Sequence, residues 1–119
     1  MSQDLPLFDF WTRVLAWLLA RTEKFPKSIR FTLSTRIDNL ALDVLEGIVE
    51  ARYSRNKVAR LSRINTDLEK LRVLLRICHD HGHLDHRAYE HASLQLWEAG
   101  KMVGGWLKQQ RAAKSHSQE

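Results

Sequence analysis

Apolar residues recur along the chain three or four positions apart, the spacing that lines one face of an α-helix. Phe8, Trp11, Leu15 and Leu18 form such a row in a first helix expected over Leu7 to Lys24, and Ile29, Leu33, Ile37, Leu40, Val44 and Ile48 form a second over Pro26 to Tyr53. Phe25-Pro26 separates them; a proline suits a first helical turn because its missing N–H has no helical acceptor there. In the third segment, Asn56 to His81, Leu61, Ile64, Leu68, Leu71, Leu75 and Cys78 fall at steps alternating three and four, the pattern of a bundle seam. Gly82 is expected to close it and Asp85 to cap the fourth, in which Tyr89, Ala92, Leu96, Ala99, Val103 and Trp106 repeat the alternation as far as Gln110. Gly104-Gly105, inside that helix, reads as room for close helix packing. Residues 112–119 read as a disordered tail behind a single domain of residues 1–111.

Helices of roughly 25 residues are about 37 Å long, and short joins force consecutive ones to run antiparallel. The expected fold class is therefore all-α, an antiparallel up-down four-helix bundle. A chain of 119 residues suits one core, and five Gly and two Pro agree with few, long elements. Counted at 100° per residue, every helix also carries apolar residues off its main stripe, Phe10 and Trp17 on the first among them. Phe31, Leu42, Val49, Val73, Leu74, Ile77, Leu94 and Trp97 are the rest of this set, and a monomer that leaves them in water is predicted to self-associate through them.

Charge changes the picture along one stretch. Lys and Arg number 19 against 14 Asp and Glu, a net +5, and between Arg52 and Arg76 eight bases stand against two acids, Asp67 and Glu69. Arg72 and Arg76 flank one side of the third seam, while Arg60, Arg63 and Lys70 follow the other flank, with Arg55 and Lys57 just before. A solvated helix face ordinarily interleaves acids as i to i+4 partners. Cations repeated along a rigid element with few acids fit phosphates instead, which they bind without sequence preference.

The conspicuous local string, His79 to His86, contains His81-x-His83-x-Asp85-His86, the spacing of the dinuclear metal motif of metallo-β-lactamase-like hydrolases. That motif works after a strand in a layered α/β fold, with further His and Asp ligands downstream, and here only His91 and His116 follow. The expectation is a polar helix-to-helix loop whose His79, His81, His83 and His86 take up metal only adventitiously, so no metal or other cofactor is expected. No nucleophile-and-base pair or phosphate loop stands out, and the single cysteine, Cys78, lies in an apolar row as an inert thiol. The longest apolar run, Val14 to Ala20, is far too short for a membrane span, and the acidic N-terminus before it is unlike a signal peptide. A cytoplasmic, non-enzymatic protein is expected.

Four strings occur in order over residues 25–107: Phe25-Pro26-Lys27 with Arg30-Phe31-Thr32-Leu33 and Arg36-Ile37; Ala51-Arg52-Tyr53; Leu68-x-x-Leu71-Arg72-x-Leu74-Leu75-Arg76; and Gly100-x-Met102-x-Gly104-Gly105-Trp106. In these strings the chain resembles the Avd family, the accessory variability determinant proteins of diversity-generating retroelements. The His-rich loop is not part of that pattern. The resemblance implies a basic homopentamer, barrel-like with a central channel and without catalytic activity, that associates with the retroelement's reverse transcriptase and its template RNA and cDNA during mutagenic copying. Carried over by position, Arg72 and Arg76 lead as candidates for polyanion or polymerase contact, followed by Lys27, Arg30 and Arg36. Arg55, Lys57, Arg60, Arg63 and Lys70 rest on charge alone. The alternative is a structural bundle that only oligomerises or docks on protein, the role envisaged for relatives encoded within ribosomal RNA intervening sequences.

Overall fold

The computed structural model describes residues 3–118. Its elements are α1 (Asp4–Thr22), a helical lead-in over 27–34, α2 (Thr35–Tyr53), α3 (Lys57–Asp80) and α4 (His86–Gln118), with no strand among the described residues. Each helix packs on the next, and α4 closes the ring on α1, giving an antiparallel bundle of 55 × 23 × 21 Å. The four apolar stripes meet at its axis: Leu7, Trp11 and Leu18, then Ile37, Val44 and Ile48, then Leu61, Leu68 and Leu71, then Leu96, Ala99 and Val103, all buried. Trp11, wholly enclosed, donates its Nε1–H to the Ala41 carbonyl at 2.9 Å, satisfying the indole's only polar atom and tying α1 to α2.

Local chemistry sets the turns. At the end of α3, Gly82 takes φ 79, the left-handed conformation that glycine adopts without strain, while the N–H groups of Gly82 and His83 donate to the carbonyls of His79 and Cys78. Asp85 Oδ1 then accepts from the Ala88 N–H at 2.8 Å and caps α4, so both punctuation residues act as their types predict. In the α2–α3 turn, Asn56 caps α3 by accepting from the Ala59 N–H, and Lys57 Nζ reaches back to donate to the carbonyls of Ala51 and Arg52, each at 2.7 Å.

Three expectations need correction. The second helix does not run evenly from Pro26. Pro26 is extended (ψ 148), a tight 3-10 turn follows over Lys27–Ile29, and Arg30–Ser34 forms a wide π-turn before α2 begins. The Arg30 carbonyl accepts both the N–H and the Oγ1–H of Thr35, which holds the turn open by one residue and leaves Phe31 outside, 88 % exposed. Gly104 and Gly105 do not serve close packing, because a Cβ at either would meet no atom within 4 Å. The close approach is at Gly100, where a Cβ would stand 2.8 Å from the Arg72 guanidinium. Finally, α4 continues helical to Gln118, through most of the stretch expected to be a disordered tail, whose Ala112, Ala113, Lys114 and Gln118 are good helix formers. Residues 1, 2 and 119 of the expected spans lie outside the described residues.

Candidate functional site

The eight bases from Arg52 to Arg76 do not form one open surface. Arg52 pairs with the buried Asp4 of α1 at 3.0 Å, Arg60 with Glu50 of α2 at 3.5 Å, Arg63 with Asp67 at 3.5 Å, Arg72 with Glu69 at 2.9 Å and Arg76 with Asp80 at 3.9 Å. Lys57 is spent on capping α2. Six of the eight therefore have partners, and only Arg55 and Lys70 have no ion pair or hydrogen bond among the described residues. Three of the partners, Asp4, Glu50 and Asp80, come from outside the stretch, which is why a count along it overstates the free charge.

These pairings differ in weight. Arg60–Glu50 and Arg76–Asp80 join exposed side chains, worth about 1 kcal/mol or less, so both bases can exchange partners. Arg72 cannot do so cheaply. Its second guanidinium nitrogen donates to the Leu96 carbonyl of α4 at 3.2 Å, and the space it crosses is the one Gly100 leaves empty. The leading candidate from family position is thus a half-buried clamp between α3 and α4, whereas Arg76 stands in solvent.

Two successive hollows divide the α2–α3 groove. The upper, about 1010 Å³, has Phe31, Leu33, Leu40, Val73 and Leu74 among its walls, with Arg36 of α2 and Lys70 of α3 on opposite sides and Glu69 the only acid lining it. Lys27 and Arg30 precede Arg36 in the lead-in, and all four of these cations lack a partner among the described residues. The lower hollow, about 330 Å³, holds Arg60 and Arg63 against Asp43, Glu46, Glu50 and Asp67, two bases among four acids. Asp67 is only 3 % exposed, and burial pushes its carboxyl above the usual range with Asp43 adding to the effect, against the pull of Arg63 and Lys70. A phosphate fits the electrostatics of the upper hollow and not those of the lower.

The His-rich loop has no metal-binding geometry: no group of three or more ligating side chains comes together among the described residues. Its rings pack on one another instead, His79 stacked on Tyr89 with centroids 4.5 Å apart, His86 5.6 Å from His79, and His81 over His83 at 6.4 Å. Cys78 is wholly enclosed, and burial pushes its thiol up, which suits an unreactive core residue. No helix among the described residues is long and apolar enough to cross a membrane.

Of the residues proposed for self-association, Phe31, Leu42, Val49, Val73, Ile77, Leu94 and Trp97 are exposed and Leu74 is half-buried in the upper hollow. Phe10 and Trp17 instead pack against the core, Trp17 with its ring 4.6 Å from that of His91. Periodicity passed over Leu5 and Tyr53, which line a smaller hollow between α1 and α2 with Phe8 and Val49. It also passed over Lys108, Arg111 and Lys114 on the last turns of α4, all exposed. The signal was available: no Asp or Glu stands between Glu98 and Glu119. Among known proteins, the model of a family described as bAvd-like matches residues 9–110. No curated protein and no solved structure matches the chain.

Proposed function

The chain belongs to the bAvd-like family, and from that membership we propose that it serves a diversity-generating retroelement as a non-catalytic accessory protein. In this reading it is a cytoplasmic homo-oligomer, a pentamer by the family resemblance, that binds the reverse transcriptase and its template RNA and cDNA. The observation that carries the reading is the extent of the match, which takes in nearly the whole of the bundle. Two features support it: ten large apolar side chains exposed on the bundle, and the cations Lys27, Arg30, Arg36 and Lys70, in and beside the upper hollow and without an ion pair among the described residues.

A search of the flanking genes for a reverse transcriptase, then co-expression with it and size-exclusion chromatography with light scattering, tests it. The expected result is a five-copy assembly, about 70 kDa by itself from 13.9 kDa per chain, whose mass rises further by that of the polymerase it carries. A monomer that leaves the polymerase behind sinks the reading. The internal pairing of six α3-region bases favours a second reading, a protein-docking bundle that binds no nucleic acid. A stable oligomer without salt-sensitive affinity for RNA decides for that one.

A further inference from the structure

We propose that the end of α4, together with Arg55 of the α2–α3 turn, forms a second nucleic-acid-binding site at one pole of the bundle, separate from the α2–α3 groove. Length is the first observation. α4 has 33 residues and α3 has 24, and the two run antiparallel from the turn after Asp80, so α4 outruns its neighbour by nine residues, about 13 Å. Its last buried residue is Leu107; from 108 to 115 no side chain is buried. Core packing does not account for this extension.

What the extension presents is charge. Lys108, Arg111 and Lys114 follow at steps of three, which keeps them within an arc of about 120° over about 9 Å of helix. None has an ion pair among the described residues. The antiparallel topology brings them to the pole of the α2–α3 turn, where Arg55 is exposed and equally without a partner. The helix dipole favours cations only in its last turn, and Arg111 lies seven residues before Gln118, so the dipole does not explain the stripe.

The surrounding residues choose the ligand. Between Lys108 and Gln118 the only apolar residues are Ala112 and Ala113, so there is no face to enter a lipid surface and no aromatic or aliphatic anchor of the kind a protein interface is built on. Phosphates along a nucleic-acid strand require neither, because multiple cations release their counterions. The site is therefore sequence-independent. It rests on the nucleic-acid half of the accessory reading and adds a location to it.

The test is fluorescence anisotropy of a labelled oligouridylate with the full chain and two triple variants of equal charge. Lys108→Gln/Arg111→Gln/Lys114→Gln removes the stripe without removing an ion pair among the described residues; Arg13→Gln/Arg21→Gln/Lys101→Gln removes bases elsewhere on the bundle that lie over Phe10, over Trp17 and beside Glu98. The stripe variant is expected to bind at least roughly tenfold more weakly and to lose about 2 from the slope of log affinity against log salt, at about 0.7 per single-strand phosphate contact, while the control changes little. Unchanged melting curves establish that both variants fold. Equal weakening in the two variants, or full binding by the stripe variant, overturns this site and leaves the accessory reading standing. No binding by the unaltered chain removes the site and the nucleic-acid half of that reading together. Polyglutamate binding as tight as RNA binding overturns the site in favour of an acidic protein.

Discussion

Along α3, Arg60, Arg63, Arg72 and Arg76 each stand 2.9 to 3.9 Å from an acid; at the end of α4, Lys108, Arg111 and Lys114 have no ion pair among the described residues. The first group looks the more basic in sequence and is the less available in space. The reason is where the acids stand: Asp67, Glu69 and Asp80 of α3 itself pair with Arg63, Arg72 and Arg76, and Glu50 of α2 pairs with Arg60, whereas α4 carries no Asp or Glu between Glu98 and Gln118. A run of bases is available to a partner only as far as the acids one turn away on its own helix, or across the groove, leave it unpaired.

The contrast is sharpest in stability. Leu68→Ala on α3 is expected to cost about 2–5 kcal/mol, because the seam has little freedom to collapse on the hole, while removal of residues 110–119 leaves the melting curve of the bundle where it was. If the truncation melts the bundle instead, the end of α4 is packed and the comparison fails. Arg72→Ala is next, at about 0.5–1.5 kcal/mol by urea denaturation, since the cross-helix hydrogen bond to the Leu96 carbonyl is lost; Arg76→Ala stays within about 0.5 kcal/mol. Arg76 is for that reason the cleaner position at which to measure any partner contact. Gly104→Ala is expected to stabilise by about 0.4–1 kcal/mol, the open space around it leaving only the gain in helix propensity.

The smallest effect is one of pH. Asp67 has its carboxyl raised by burial, so the folded state holds that proton more tightly than the unfolded chain does. Its contribution to stability is fully present below the ordinary aspartate range and is lost as pH rises through the raised value. Thermal melts of the chain and of Asp67→Asn should therefore diverge in favour of the unaltered chain as the pH is lowered from neutrality. A constant difference across that range removes the assignment.

The seams, the fold and both caps at the His-rich loop were legible because each is local: a repeat of three and four, a glycine, an aspartate. The motif in that loop was discounted on sequence because its spacing had no strand or distant ligands to work with. The clamp that Arg72 makes was not legible, because beyond its local pair with Glu69 it reaches a carbonyl 24 positions away across the space left by Gly100, neither of which has a signature near it. The π-turn at Arg30–Ser34 escaped because its surplus residue falls between Ile29 and Ile37, which the apolar row spans in two steps of four that an unbroken helix also allows. The stripe on α4 was in plain view, hidden only by summing the remainder of the chain to near neutrality.

That π-turn also separates two registers. From Thr35 onward the stripe of Ile37, Leu40, Val44 and Ile48 is buried, while before it Ile29 and Leu33 only lean on the core and Phe31 stands outside, with one surplus residue absorbing the mismatch. Loss of a single residue there would wind the turn into ordinary helix and swing the Lys27–Leu33 segment by about 100° around the axis, carrying Phe31 with it and leaving the seam of α2 undisturbed. Across related chains, one insertion or deletion at this point is a way to exchange what the groove displays without renegotiating the core that holds it.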